Sequence, residues 1–431
     1  MEDEALVPVL DKINLCIGVV FTLCYFYQIV YLFIAYLGRK PRCASEEKKR
    51  IAVLIAARNE EAVIGNLIQN LKDQDYSRDM YEIFLVADNC TDKTAAVAKE
   101  AGAVVYERQS NTERGKGYAL DFLLKKIDSD YGDDAFDGFL VFDADNLVES
   151  DFISKINATF ACGYDVVSSY RNSKNYGAGW RAAGQGMWFL RDARVLNTAR
   201  MKIGGCTFVS GTGFIFSNGL KKRYGGWPFH TLTEDGEFTA CNAVSRVKCA
   251  YCPDAEFYDE QPVGFVQSWK QRLRWCKGGL QIFKIYLGKL LRGIFTGGGI
   301  SCFDISMSLA PAYLLSVIAV LVNVTGFALM PFFATRDSFL VTLTNVATGV
   351  LTAYMMLFIF SLAVTISEWK KIRASAPKKL LYMFTFPLFI FSFIPVAFIA
   401  LFKKVEWSPI AHDGSTTLSD IHNGDKKSET E

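Results

Sequence analysis

The stretch GFLVFDAD (138–145) decides how this chain folds. An apolar run this short, without polar alternation, reads as a strand buried on both faces of a parallel sheet. A carboxylate at the C-terminal end of such a strand faces the crevice where open α/β sheets take their ligands. Two carboxylates one residue apart, Asp143 and Asp145, can hold a divalent cation against a diphosphate. Three similar runs come before it: IAVLIAA (51–57), EIFLVAD (82–88) and AVVYE (103–107). Between them lie helical segments. Residues 60–73 space Ala62, Val63, Leu67 and Leu71 on one face. TAAVAKEA (94–101) has Thr91 or Asp92 to cap it and Gly102 to end it. The glycine-rich ERGKGYALDFLLKKI (113–127) completes the set. This alternation predicts an α/β, doubly wound parallel sheet. With no GxGxxG after the first strand, a dinucleotide site is disfavoured.

Beyond 163 the pattern loosens. YDVVSSYRN (164–172) reads as a strand and QGMWFLRDARVLNTARM (185–201) as a helix. CTFVSGTGFIFS (206–217) has strand character interrupted by small residues, which permit close backbone approach to a ligand. Residues 264–293 alternate Trp, Leu, Ile and Phe with Lys and Arg, suiting an amphipathic helix at a membrane interface.

The 51% hydrophobic content is unevenly spread. Residues 14–38, 305–335, 338–367 and 380–402 carry no charge, and each is long enough as a helix to cross ~30 Å of hydrocarbon. The expected organisation is a transmembrane helix at 14–38, a cytoplasmic domain at 45–263 and amphipathic interfacial helices at 264–300. About three spans at 303–402 and a polar tail at 403–431 follow. The acidic start MEDEA argues against a cleaved signal peptide. The basic clusters at 38–50 and 368–379 suit a cytoplasmic location for the domain, and the expected membrane is the plasma membrane. Three later spans would put Lys403 and Lys404 outside. Pro387 and Pro395 allow a kink or hairpin that returns the tail to the cytoplasm, and residues 413–431 read as disordered.

Eleven scattered cysteines suggest no disulfide framework and suit a reducing compartment. Cys249-x-x-Cys252 stands alone beside three histidines, so zinc is disfavoured. A net charge of +2 without a basic, aromatic-interleaved stripe gives no sign of a nucleic-acid partner.

Six motifs stand in order: ARNEE (57–61), ADNCTDKT (87–94), GKGYAL (115–120), DAD (143–145), TED (233–235) and QRLRW (271–275). Together they resemble the membrane-embedded family 2 glycosyltransferases, which include cellulose, hyaluronan, chitin and poly-N-acetylglucosamine synthases, and are nearest to the bacterial polysaccharide synthases. The resemblance spans roughly 51–290, and VEWSPIAH (405–412) is similar to the C-terminal segments of those synthases. It implies a GT-A-type domain inserted between transmembrane helices. By this resemblance Asp88, with Arg58 and Glu60, contacts uridine, and Lys116 approaches the nucleotide or its phosphates. Asp145, helped by Asp143, binds Mg²⁺ or Mn²⁺. Asp235 is the base and Glu234 orients the acceptor, while Gln271 and Arg274 clamp the diphosphate and Trp275 stacks on the acceptor sugar. Two departures stand out. Asp88-Asn89-Cys90 replaces the Asp-Asp or Asp-Gly often found there, and no FxVT-type gating segment follows Trp275.

The chemistry is coherent without the family. A sugar hydroxyl needs a base, and a departing diphosphate needs cations. In isolation each motif has a plainer reading. Asp88 suits a turn, Asp143 and Asp145 suit a helix cap near Asn146, and Glu234 and Asp235 suit a solvated loop. QRLRW suits an interfacial helix with Trp275 as surface anchor, and His230 suits packing. Trp180, Trp188 and Trp227 suit either a sugar groove or a core. The order of all six motifs in one block favours the enzymatic reading. The expectation is a processive inverting enzyme that makes a β-linked polysaccharide from UDP-glucose or UDP-N-acetylglucosamine. Its product would leave through the spans past Tyr313, Asn323 and Tyr354. The alternatives are single-sugar transfer to a lipid, as in ceramide glucosyltransferases, and a non-catalytic nucleotide-sugar sensor or channel.

Overall fold

The computed structural model describes residues 6–38, 43–309, 311–333, 335–406 and 416–422. Residues 407–412 of VEWSPIAH and most of the polar tail lie outside the described residues. After helix α1 (Leu6–Leu37) the chain alternates β1 (Ile51–Ala57), α2 (Ile64–Lys72), β2 (Tyr81–Asp88), α3 (Thr94–Glu100), β3 (Val104–Arg108), α4 (Lys116–Tyr131) and β4 (Gly138–Asp143). Then come β5 (Leu147–Val148), α5 (Phe152–Phe160), β6 (Val166–Ser173), α6 (Trp180–Arg191), α7 (Thr198–Lys202), β7 (Phe214–Ser217), α8 (Asn218–Tyr224), α9 (Glu234–Val244) and β8 (Cys249–Asp259).

These strands form one eight-stranded sheet in the order β3-β2-β1-β4-β7-β6-β8-β5. The expectation of a parallel sheet holds for β1 to β4. Beyond them it holds only between β6 and β8, because β7 runs antiparallel to both β4 and β6, and β5 runs antiparallel to β8. The sheet is therefore mixed. An apolar strand buried on both faces reads alike in either direction, since direction is set by the connection. Here α6 and α7 leave the sheet to meet α1 and the later helices instead of forming a crossover. Successive strand residues point to opposite faces. Ala52, Leu54, Phe84 and Val86 pack under α4, while Ile51, Val53, Ile83 and Leu85 pack against α2. CTFVSGTGFIFS yields a strand only from Phe214. Gly213 before it has φ 64°, and a Cβ there would lie 2.2 Å from the Phe257 ring.

Helix α10 (Phe265–Gly293) leads to α11 (Gly299–Leu309), α12 (Pro311–Phe333) and α13 (Arg336–Ser367). The chain then continues through α14 (Ala376–Phe391) and α15 (Phe393–Phe402). Four segments are long and apolar enough to cross a membrane: Val7–Leu37, Pro311–Phe332, Arg336–Ser367 and Ala376–Phe402. The last is interrupted at Ser392. Its first half lies against α6, where a Cβ on Gly184 would come 2.4 Å from the Phe389 ring. Its second half lies along α10, where the Lys277 ammonium donates to Ala400 O at 2.9 Å. The chain then returns to the sheet. Ile421 is buried against Leu147 and Tyr258, and His422 meets Glu149 at 2.9 Å.

Helix α1 is fastened to the domain by a buried network. The Arg200 guanidinium bridges both Asp304 oxygens at 2.7 and 2.9 Å, and Tyr27 and Tyr31 of α1 donate to the same carboxylate. Lys202 donates to three carbonyls at the end of α1, those of Ile34, Ala35 and Gly38, where the helix dipole favours a cation.

The cysteine reading needs one correction. Cys43 and Cys162, 119 residues apart in sequence, form a disulfide between the segment after α1 and the end of α5. The Ser45 N–H donates to Ala158 O nearby, a long-range approach that residue spacing does not reveal. Cys249 and Cys252 turn to opposite sides of β8 and do not converge.

Candidate active site

All eleven residues singled out in the motifs line one cavity of about 1280 Å³, which runs from the C-terminal ends of β1, β2 and β4 into the bundle of α1, α12 and α13. On the sheet side, Asp88 ends β2 and is buried. It accepts from the Arg108 guanidinium at 2.7 Å, and Arg108 also bonds Glu113 at 2.9 Å. Asn89, the departure from the expected motif, has φ 54°. That left-handed conformation suits Asn, and its side chain donates to Asp88 at 3.0 Å while accepting from the Ser110 N–H at 2.9 Å. The residue therefore organises the turn beneath Asp88. Arg58 and Glu60 follow β1 at the neighbouring strand end.

Lys116 begins α4 and reaches across to Asp143, with a second bond to Gly211 O at 2.8 Å. The glycine after it is sterically required, since a Cβ on Gly117 would fall 2.0 Å from Phe229 O. The Asp143 N–H donates to the Thr212 hydroxyl at 2.9 Å. Asp145 is buried and accepts from the Glu260 N–H at 3.4 Å, while its carbonyl accepts from Lys174.

Across the cavity, Glu234 and Asp235 are the first two residues of α9. Burial, and then the neighbouring Asp235 charge, push the Glu234 carboxyl up to about 7. Burial also raises Asp235 above the usual carboxylate range, against hydrogen bonding at the helix start and the charges of Arg274 and Lys116. The chain passes close by: a Cβ on Gly211 would lie 3.4 Å from Asp235 Oδ2. A Cβ on Gly278 would lie 2.2 Å from the Thr233 hydroxyl, so α10 seats directly on the TED loop.

Helical spacing explains QRLRW. Gln271, Arg274 and Trp275 share the cavity face of α10. Arg272 points away and lies about equally, at 5.0 Å, over the rings of Phe389 and Phe393. Arg274 donates to Leu232 O at 3.2 Å, and Gln271 accepts from Gln185 at 2.8 Å. The Trp275 ring meets Phe189 edge-on at 5.9 Å.

Arg171 and Asp259 escaped the motif reading. Arg171 sits in β6 and Asp259 ends β8, and their ion pair lines the same cavity. Burial opposes the Asp259 charge, but the Arg171 guanidinium outweighs it and holds the carboxyl below its ordinary range. Arg171 also donates to Ser210 O at 2.6 Å and lies 3.6 Å over the Phe189 ring that buttresses Trp275. Arg171 lies near the end of the strand read at 164–172, whereas β8, which Asp259 ends, went unread in the sequence. The tryptophans divide: Trp188 lines the cavity, Trp227 is buried in the core, and Trp180 is 38% exposed outside the cavity. His230 stacks on Tyr118 at 4.1 Å.

No cluster of three His, Cys, Asp or Glu closes around a metal among the described residues. Asp143 and Asp145 offer hard oxygen ligands from one side only. That fits Mg²⁺ or Mn²⁺, which are commonly held by one or two carboxylates together with substrate phosphates.

A mixed sheet with acidic strand ends and a helix-borne QxxRW face defines a GT-A-like α/β enzyme domain. Residues 49–278 match the profile of the glycosyltransferase-like family 2, and the chain belongs to that family. It is 28% identical over 243 residues to the beta-monoglucosyldiacylglycerol synthase of Synechocystis sp., covering 55% of this chain and 49% of that one. It is 23% identical over 278 residues to the poly-beta-1,6-N-acetyl-D-glucosamine synthase of Staphylococcus aureus, covering 60% of each chain. The chain thus spans about half to three-fifths of the length of these relatives. A mannosyltransferase of Pyrobaculum calidifontis, solved with GDP-Man and Mn²⁺, shares the fold at TM-score 0.59 and 16% identity, over 93% of this chain and 99% of that one.

Proposed function

We propose that the chain is a processive, inverting, metal-dependent hexosyltransferase that extends a β-linked polysaccharide from UDP-glucose or UDP-N-acetylglucosamine. One observation carries the reading. The cavity that holds Asp143 and Asp235 continues without a break among polar groups of the spanning helices, including Thr22, Gln28, Ser316 and Asn323. Polar groups inside a membrane bundle mark substrate paths. Tyr313 and Asn323 line this path, whereas the Tyr354 hydroxyl donates to Phe384 O at 2.8 Å and lies outside the lining.

In this reading Arg58, Glu60 and Asp88 receive the uridine, and Lys116, Gln271 and Arg274 face the diphosphate. The acceptor sugar stacks on Trp275, and Glu234 orients its hydroxyl. Asp235 takes the hydroxyl proton as that oxygen bonds the anomeric carbon and the bond to UDP breaks. Attack opposite the leaving group inverts the centre. When bound at Asp145 and Asp143, Mg²⁺ or Mn²⁺ supplies Lewis acidity to the departing diphosphate. The domain faces the cytoplasm, a reading supported by its basic flanks and opposed by the Cys43–Cys162 disulfide, which a reducing compartment disfavours. The described tail residues pack on the sheet, which suits α14 and α15 lying along the membrane face of the domain instead of crossing.

A second reading, transfer of one sugar to a membrane lipid, is favoured by the apolar wall that Val346, Val350 and Leu357 of α13 give the cavity, and by the Synechocystis relative. Product partition separates the two. Purified protein is incubated with each labelled UDP-sugar and Mg²⁺ or Mn²⁺. A water-soluble product of high molecular weight supports the polymerase, and label confined to an organic-extractable monoglycoside overturns it.

A further inference from the structure

We propose that Asp11, Asn14, Asn323 and Asn345 form a second carbohydrate-binding site, a polar collar at the end of the cavity remote from Asp235. Its ligand is a neutral, hydroxyl-rich chain. The proposal rests on the polymerase reading and adds to it where the leaving chain is held.

All four side chains line the cavity, one or more from each of α1, α12 and α13. Asn14 donates to Asn323 Oδ1 at 3.0 Å, and Asn323 donates back to Asn14 Oδ1 at 2.9 Å. Asn345 donates to Asp11 at 3.3 Å. The collar is far from the chemistry. At 1.5 Å per helical residue, Asn323 lies about 18 Å along α12 from Pro311. Asn14 lies about 20 Å along α1 from Tyr27, the residue that contacts Asp304 beneath the domain.

These groups sit in helices of mean hydropathy 2.0 to 2.1, where an unpaired carboxamide is costly. The reciprocal pair meets that demand while the path is empty. A carboxamide carries two donors and an oxygen with two lone pairs, so the same groups can exchange their mutual bonds for sugar hydroxyls at little net cost. A tie between helices would need no free volume beside it. Here a Cβ on Gly18 or Gly349, both in the lining, would meet nothing within 4 Å. Thr348 and Thr352 spend their protons on Thr344 O and Thr348 O, each at 2.8 Å, and present neutral oxygen lone pairs to the path. The collar holds three carboxamides, one carboxylate and no cation, which favours an uncharged polyol over a diphosphate.

The test uses the full chain in nanodiscs with labelled UDP-sugar. It measures mean product length, the KM for donor and the melting temperature for wild type, Asn323→Leu, Asn345→Leu and Leu321→Ala. Leu321 is 48% exposed and outside the lining, so Leu321→Ala controls for disturbance of α12. Both Asn variants are expected to shorten the product several-fold, with the donor KM within about twofold and the control unchanged. If Asn323→Leu fails to fold, Asn345→Leu carries the test, because its side chain makes one long hydrogen bond at the exposed edge. Full-length product from a folded Asn345→Leu or Asn323→Leu variant overturns the collar. A wild type that makes only a monoglycoside overturns the polymerase reading itself.

Discussion

The carboxylates at the strand ends and the carboxylates that open α9 face one cavity, yet the protein holds them in contrasting ways. Asp88, Asp143 and Asp259 each lean on a cation from another element: Arg108 of β3, Lys116 of α4 and Arg171 of β6. Glu234 and Asp235 have no salt bridge among the described residues, and burial drives both upward, Glu234 to about 7. An ion-paired carboxylate is held in place, which suits a binding surface. A buried carboxyl raised above its usual range suits a group that must take a proton. The contrast supports donor binding at the sheet edge and proton transfer at the start of α9.

The largest expected effect tests the sheet edge. Chelation with EDTA abolishes UDP release and added Mg²⁺ or Mn²⁺ restores it, while Asp145→Asn raises the metal concentration required. Turnover that survives exhaustive chelation would remove the metal from the account. Next is Arg274→Ala, which takes away a cation proposed to face the departing diphosphate and lowers kcat by about 10²–10³, with partial recovery in Arg274→Lys. A kcat within tenfold of wild type would place Arg274 outside the diphosphate clamp.

Arg171→Leu probes the wall between the two regions. It leaves Asp259 buried without its partner, at a cost of about 3–5 kcal/mol, and loosens Phe189 behind Trp275. The acceptor KM should rise roughly tenfold more than the donor KM; equal rises would mark a purely structural pair.

The smallest effect is in pH. Because burial raises Glu234, the folded chain keeps a proton that the unfolded chain has already lost between pH 4.5 and about 7. Folding stability is thus lost as pH rises through about 7. Glu234→Gln removes that loss, so its melting temperature should exceed the wild type's by a few degrees at pH 8 and match it near pH 4.5. The same melting difference at both pH values would contradict a raised Glu234.

Much of the sheet edge was legible because its signals are local. Apolar runs ending in Asp88 and Asp143 give strand and ligand edge together, and the i, i+3, i+4 spacing of Gln271, Arg274 and Trp275 places one helix face. What could not be read depends on long-range return. The antiparallel β7 follows from where α6 and α7 travel, not from FIFS itself. Arg171 and Asp259 lie 88 residues apart and meet only through the pairing of β6 with β8. The Cys43–Cys162 bond and the seat of Ile421 on Leu147 and Tyr258 are likewise tertiary contacts. Composition also cannot distinguish an apolar helix that crosses a bilayer from one that lies along α6 and α10, since both need an apolar face.

Asp235→Asn separates proton transfer from donor binding when turnover and UDP affinity are measured on the same folded preparation. Sugar transfer should fall by at least about 10²–10³ while the Kd for UDP stays within a few-fold, since the change removes a base and spares the donor edge. Transfer near the wild-type rate, with UDP binding intact, would contradict this and move the proton-accepting role away from Asp235.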